Sequence, residues 1–181
     1  MDPILTPRLL LRPWRDSDRG PFAALNADPQ VTRFFPSTLT ADQSDQMVQT
    51  ILAHWQTHGF GVFALELRET AQFIGFTGLN IPRFEAHFTP CVEIAWRLAA
   101  AHWNHGYASE AAAASLQFGF ETLQLSEIVA FTVPANLPSR RVMEKIGMRE
   151  DTSGAFDHPG VAESHPLRKH VLYRKSKPHA P

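Results

Sequence analysis

The sequence has one cysteine, almost no net charge and no long apolar run, and each shortage excludes a class of protein. Cys91 is the only thiol among 181 residues, which excludes an internal disulfide and favours a reducing, cytoplasmic setting. The 17 basic and 18 acidic residues leave a formal net charge of −1. A chain this close to neutrality has no global attraction for nucleic acid or for a membrane surface, so we expect neither partner.

Secretion, membrane-spanning and metal-binding functions are not indicated either. Residues 1–12 lack the basic stretch and apolar core of a secretion signal. No apolar run approaches the roughly 18–20 residues that span a bilayer. The nine histidines are scattered along the chain and show no ligand spacing with acidic residues, so the sequence predicts no metal site.

What is present is the composition of a folded globular domain. Hydrophobic residues make up 44% and charged residues 19% of the chain, and 181 residues suit a single domain over 1–181. Short apolar or alternating runs predict strands, and apolar residues recurring every three or four positions predict helices. The strands are expected at 8–12, 61–67, 72–79, 92–98, 127–133 and 169–174, and the helices at about 17–27, 40–58, 107–123 and 137–146.

The order of these elements predicts a mixed sheet. Strands alternate with helices in the second half of the chain, and a helix that crosses between two strands makes those strands parallel. The stretch 151–167 is rich in glycine, proline, histidine and acidic residues, so we expect a long loop beside a strand there.

The connection before the helix at Tyr107 has the character of an anion site. A glycine-containing turn that leads into a helix leaves backbone N–H groups unpaired, and the helix dipole favours negative charge in front of them. Gly106 lets a phosphate approach the main chain closely because it has no side chain. Many helices start after a glycine, so this segment alone does not define a function.

A second segment, Asn136 to Met148, is also distinctive. Asn136 follows a strand and can cap the next helix, Pro138 and Ser139 lie in its first turn, and Gly147 ends it.

Together the two segments resemble the cofactor motifs of the GNAT acetyltransferase superfamily. They are most similar to the branch containing the RimJ/RimL-type protein N-terminal acetyltransferases. Within the first motif, Asn104 replaces a glycine and His105 a lysine that this branch often has, and the matching residues are Trp103, Gly106, Tyr107, Ala108, Glu110 and Ala111. The second motif is matched at Asn136, Ser139, Arg141 through Lys145, and Gly147.

The resemblance implies a fold and a cofactor. The fold is an α/β (α+β) domain whose mixed central sheet of about seven strands is flanked by four helices. Strands four and five, here 92–98 and 127–133, splay apart, and acetyl-CoA occupies the gap. The implied cofactor contacts are Ile94, Ala95, Trp96, Asn104, His105, Gly106, Tyr107, Ala108, Ser109, Asn136, Arg140 and Arg141. At Asn104, either the phosphate contact is looser than with glycine or the asparagine takes the left-handed conformation that it tolerates.

The resemblance also suggests two catalytic residues. Glu93 lies on the strand beside the thioester and is a candidate general base acting through water. The alternative is a structural ion pair with Arg97 on the same strand face. Met143 occupies the position of the tyrosine that serves many relatives as an acid, so Ser139 is the candidate donor to the sulfur. An ordinary first-turn hydroxyl at Ser139, and a proton from Tyr173, are the alternatives.

Two functions therefore remain open. The first is transfer of acetyl from acetyl-CoA directly to a primary amine, either a protein N-terminus or a small molecule. The second is a degenerate protein that binds or senses acyl-CoA without turnover. The departures from the family motifs at Met143, Asn104 and His105 leave this function possible. A monomer or a homodimer is expected among relatives of this kind.

Overall fold

Eight strands form one sheet in the computed structural model, which describes residues 2–178. They are β1 (Ile4–Leu5), β2 (Leu9–Arg12), β3 (Val62–Leu67), β4 (Phe73–Asn80), β5 (Glu93–Leu98), β6 (Glu127–Thr132), β7 (Arg149–Asp157) and β8 (Lys169–Ser176). Their spatial order is β1-β2-β3-β4-β5-β6-β8-β7. Every neighbouring pair is antiparallel except β5 and β6, which are parallel as the crossover predicted.

Five α-helices accompany the sheet. They are α1 (Arg19–Ala27), α2 (Pro29–Thr32), α3 (Ala41–His58), α4 (Tyr107–Gln117) and α5 (Leu137–Lys145), and α4 continues through a π-helical segment over Phe118–Thr122. The ends of α3 follow local chemistry, because Thr40 and Gln43 form a reciprocal capping box and Gly59 ends the helix at φ 71°. No helix among residues 2–178 has both the length and the apolar composition needed to cross a bilayer.

The two faces of β5 have different neighbours. Successive side chains of a strand point to opposite faces. Ile94 packs in one core cluster with Ala112 of α4, whereas Ala95 packs with Phe22 of α1 and Ile51 of α3. The face of β5 that carries Glu93, Ala95 and Arg97 is therefore the face covered by α1 and α3.

β5 and β6 diverge almost as soon as they meet. They pair at a single register position, Glu93 with Val129, where the Val129 N–H also donates to the Val92 carbonyl at 2.9 Å. On its other edge, β5 pairs with β4 along its whole length, from Glu93 to Leu98. The predicted splay between these two strands is thus confirmed, and the gap opens from Glu93 towards the ends of β5 and β6.

The fold class is confirmed, with two differences in the counts and one in a loop boundary. The sheet has eight strands rather than about seven, and α2 adds a short helix at Pro29, where the sequence indicated only a break. The expectation of a loop from residue 151 was wrong at its start, because β7 runs to Asp157. This edge strand is mostly exposed and irregular between Asp151 and Phe156, so it lacks the apolar alternation that reveals strands. The predicted domain limits, residues 1 and 181, lie outside the described residues.

Candidate active site

The gap between β5 and β6 opens into a cavity of about 950 Å³. One wall comes from α2, α3 and the loop 33–36 between them. The opposite wall comes from the first turns of α5 and from the loop 158–167. The floor is β5, and one end is closed by the turn that leads into α4. A single cavity of this shape has room for an extended ligand lying along the free edge of β5.

The turn before α4 has the conformation that an anion site needs. Asn104 has φ 63° and Gly106 has φ 81°, so two residues of this short turn are left-handed. Among the described residues, no side chain caps the start of the helix. The first N–H groups of α4 therefore remain available to a ligand, and the helix dipole favours a negatively charged one. Asn104 takes the left-handed conformation considered for it, and it does so where the branch often has glycine.

An ion pair from the beginning of the chain braces this turn. The Arg8 side chain donates to Glu110 at 2.7 Å and to the His105 carbonyl at 2.8 Å, and its guanidinium lies 4.6 Å from the Tyr107 ring centre. The backbone N–H of Arg8 and the hydroxyl of Thr6 also donate to Glu110. Burial alone would raise the pKa of Glu110, but these hydrogen bonds and the arginine outweigh it and hold that pKa below its usual value.

Sequence reasoning missed the role of Arg8. Its partners lie about a hundred positions further along the chain, and no local pattern reports such a contact. Glu110 belongs to the first of the two motifs, but nothing near Arg8 in the sequence indicates that it contacts that motif.

Most of the predicted site residues are brought together around the cavity. Its walls include both catalytic candidates and ten of the twelve predicted cofactor contacts: Glu93, Ser139, Ile94, Ala95, Trp96, Asn104, Gly106, Tyr107, Ala108, Ser109, Asn136 and Arg141.

The other two predicted contacts, His105 and Arg140, point elsewhere. His105 stacks on Tyr107 with 5.5 Å between ring centres. The Arg140 guanidinium pairs with Glu150 at 2.9 Å and donates to the Tyr173 hydroxyl at 3.1 Å.

Glu93 stands where β5 and β6 separate. Burial raises the pKa of its carboxyl to about 8, and the Asn80 side chain, from its cross-strand partner, partly opposes that rise. No cation within residues 2–178 forms an ion pair with it. The considered pair with Arg97 is not formed, since Arg97 instead donates to Asn26 at 2.6 Å. A partly buried carboxyl with a pKa near 8 is suited to accept a proton close to neutral pH.

Ser139 faces the same cavity from the first turn of α5. Asn136 caps that helix by accepting from the Ser139 N–H at 3.3 Å, and its own amide donates to Thr132 at 3.0 Å. The Ser139 hydroxyl has no hydrogen-bond partner among the described residues, so it is free to donate into the cavity.

Met143, at the position of the usual tyrosine acid, and Tyr173, the alternative proton donor, both pack in the core. Met143 is 1% exposed and packs in the largest apolar cluster. Tyr173 is also buried, and its hydroxyl lies among Arg140, Glu144 and Glu150, outside the cavity lining. Among the candidates considered, Ser139 is therefore the one with a free hydroxyl in the cavity.

The structure adds residues that sequence reasoning did not select. Arg97 lines the cavity without an acidic partner among the described residues, and Arg33 and Arg83 line it as well. On the far wall, His158 and His170 lie 5.0 Å apart beside Phe131. Burial lowers the pKa of both histidines, and for His158 the neighbouring His170 lowers it further. Each of these residues comes from a different loop or strand, so no spacing in the sequence marks them as a group.

Comparison with known proteins agrees with this geometry. The family model described as an acetyltransferase (GNAT) domain matches residues 8–149. The uncharacterized N-acetyltransferase YoaA of Bacillus subtilis is 31% identical over 154 residues, covering 83% of this chain and 85% of that protein.

Solved structures give the same result. An acetyltransferase of Agrobacterium tumefaciens is 30% identical and superposes with a TM-score of 0.77, over 97% of this chain and 94% of that one. RimJ of Mycobacterium smegmatis, solved in complex with CoA-disulfide, shares the fold at a TM-score of 0.73, with 23% identity over 93% of this chain and 81% of its own. The splayed sheet, the left-handed turn before α4 and these matches together show that the chain belongs to the GNAT family of acetyl-CoA-dependent acetyltransferases.

Proposed function

We propose that this protein transfers an acetyl group from acetyl-CoA directly to a primary amine, on a protein N-terminus or on a small molecule. The observation that carries the proposal is the Glu93 carboxyl, which is partly buried in the wall of the cavity without an ionic partner among the described residues and has a pKa raised to about 8. A primary alkyl amine is protonated at neutral pH. A base in that pKa range can remove the proton that the attacking nitrogen must lose.

The residues of the cavity fit acetyl-CoA, which supplies a thioester carbonyl when bound. The left-handed turn at Asn104 and Gly106 presents backbone N–H groups to a pyrophosphate, and Arg141 and Lys145 lie in the same cavity. The free edge of β5, at Ile94 to Trp96, offers backbone groups to the pantetheine arm and to the thioester oxygen.

Two side chains would then assist the proton transfers. Glu93 accepts the proton of the amine nitrogen, through a water molecule, as the carbon–nitrogen bond forms. The Ser139 hydroxyl donates a hydrogen bond to the sulfur as the carbon–sulfur bond breaks, and it takes up a proton from solvent as it passes its own to the sulfur, so that the thiol leaves neutral and the serine is restored. The positive character of the cavity also favours the uncharged amine, because neighbouring cations lower the pKa of an ammonium group.

The test is release of free thiol from acetyl-CoA with panels of peptide and small-molecule amines. We expect release that depends on one class of amine, is strongly reduced in Glu93→Gln and Ser139→Ala, and is unaffected in Glu69→Gln and Ser153→Ala. Glu69 and Ser153 are exposed and serve as matched controls. Amine-dependent release that survives in both active-site variants would contradict the proposed roles.

A second function is supported by one observation. Met143 occupies the position where many relatives carry a tyrosine acid, and it is buried in the core. A protein that binds acyl-CoA without turnover would show tight CoA binding and no amine-dependent thiol release with any panel.

A further inference from the structure

The cavity also contains a partly buried cation, Arg97, and no acidic group of the described residues pairs with it. One terminal nitrogen of the Arg97 guanidinium, Nη1, donates to Asn26 at 2.6 Å. The guanidinium lies 4.1 Å from the ring centre of Phe35 and 5.6 Å from that of Phe76. Its Nε is buried and has no hydrogen-bond partner within residues 2–178. A buried cation and a buried unpaired donor each cost free energy unless something compensates them.

The unused part of Arg97 has a defined shape. With Nη1 engaged by Asn26, the edge formed by Nε and Nη2 remains unpaired, since neither atom has a hydrogen-bond partner among the described residues. Two parallel N–H groups on one edge of a guanidinium match the two oxygens of a carboxylate. Burial lowers the pKa of Arg97 to about 10, so the group still carries its charge at neutral pH.

Arg97 lies on the face of β5 that is turned away from α4. It shares a strand face with Glu93, four residues away, which separates the two Cα atoms by about 13 Å. That face is covered by α1 and α3, as the contact with Asn26 of α1 shows. The turn that would hold the pyrophosphate leads into α4, which packs on the opposite face. Arg97 therefore faces the space beside the proposed base rather than the phosphate turn.

The charges that line the cavity also favour a ligand with a negative charge. Glu93 is the only carboxylate among the described residues that line it. Arg33, Arg83 and Arg97 line it together with Arg141 and Lys145, and the last two lie on α5, near the expected position of the cofactor phosphates. An acceptor with several positive charges would be repelled by this surface, whereas an acceptor with a negative charge would be attracted.

We propose that Arg97 binds a carboxylate of the acceptor, so that the substrate is a primary amine carrying a carboxylate several bonds away from the amine. A peptide N-terminus with an acidic side chain in its first positions has this chemistry, and so does a small amino acid with a distal carboxylate. The proposal rests on the proposed function, because it places the amine at Glu93 while the carboxylate is held at Arg97.

The experiment compares acceptors that differ in one carboxylate. Short peptide amides carrying glutamate or glutamine at the first, second or third position are offered to the wild-type protein, Arg97→Lys, Arg97→Gln and the control Arg19→Gln, whose residue lies outside the cavity lining. We expect the wild type and Arg19→Gln to prefer glutamate at one position by about 10- to 100-fold in kcat/KM, mainly through KM. Arg97→Gln should bring the glutamate peptide down to the level of its glutamine partner. Arg97→Lys, which keeps the charge but loses the two-pronged edge, should fall between them.

Two other outcomes would overturn the proposal. Equal transfer to glutamate and glutamine peptides at every position by the wild type would overturn the proposal. So would weaker CoA binding in Arg97→Gln with an unchanged preference, because Arg97 would then contact the cofactor. If Arg97→Gln does not fold, the test uses Arg97→Lys alone. A reduced preference for the glutamate peptide then supports the proposal, and an unchanged preference overturns it.

Failure of the proposed function is distinguished by a binding measurement. If no amine releases thiol, binding of the N-acetylated glutamate and glutamine peptides in the presence of CoA is measured by calorimetry. Tighter binding of the glutamate product, lost in Arg97→Gln, would support the carboxylate site without turnover. Equal binding would overturn it.

Discussion

Glu93 pairs with Val129 at the one register position that joins β5 to β6. The proposed base therefore stands at the vertex of the gap, and its backbone is fixed on both sides, by Asn80 on β4 and by Val129 on β6. A base held in this way keeps its position while the rest of the gap accommodates a ligand. The pKa of about 8 follows from the same location, since burial at the vertex disfavours the charged carboxylate.

The rate of transfer should rise with pH. The base works only when deprotonated, so kcat/KM should increase as pH passes through about 8, the pKa of Glu93 in the folded protein. Glu93→Gln should lower kcat by about 100-fold or more and remove this limb of the profile. Initial rates between pH 6 and pH 9.5 check it, with Glu69→Gln as control. An unchanged limb in Glu93→Gln would assign the titration to another group.

Stability should depend on pH through the same carboxyl. The ordinary pKa of 4.5 applies to the unfolded chain and about 8 to the folded one, so between these values the folded state binds more protons. Stability from this group therefore falls as pH rises through that window. Glu93→Gln should melt close to the wild type at pH 5 and above it at pH 8.5. Thermal unfolding at both pH values measures the difference, and a gain at pH 5 equal to that at pH 8.5 would contradict it.

The brace between Arg8 and Glu110 should tighten CoA binding. Arg8→Ala removes the donor that holds the His105 carbonyl, so the turn before α4 loses part of its fixed conformation. We expect the Kd for CoA to rise by about 5- to 10-fold, which corresponds to roughly 1 kcal/mol. Calorimetry on Arg8→Ala and on the control Arg19→Ala, a residue outside the cavity lining, tests this. Equal affinities in the two variants would show that the turn needs no brace.

The two left-handed residues of the turn should respond oppositely to substitution. Gly106→Ala places a side chain at φ 81°, which costs about 1–2 kcal/mol and should weaken CoA binding about tenfold. Asn104→Gly removes the side chain at φ 63°, and we expect affinity to be retained or improved. The comparison is made by calorimetry with CoA, and loss of affinity in Asn104→Gly would mean that the amide side chain itself contacts the ligand.

Local chemistry made much of the fold predictable. Residues within a few positions of one another determine the caps of α3 and the turn before α4. The same holds for Gly147, the glycine at which the segment of α5 ends. The structure has Gly147 at φ 77°, as expected. The resemblance then supplied the splay between β5 and β6, which no local pattern contains.

What could not be predicted depends on distant contacts. Arg140 was expected at the cofactor, but its guanidinium pairs with Glu150, ten positions away near the start of β7. The partner of Arg97 is Asn26, 71 residues earlier. Which of several possible neighbours an arginine chooses is decided by packing in three dimensions, and the sequence carries no spacing that reveals it.

The single pairing between β5 and β6 has a consequence for hydrogen exchange. The central strands of a sheet normally contain the slowest-exchanging amides of a domain. Here β5 is central, but beyond Glu93 the edge that faces β6 has no ladder partner among the described residues. The middle of this sheet should therefore contain a line of amides that exchange with solvent deuterium almost as readily as an edge strand, next to neighbours on the β4 side that exchange slowly.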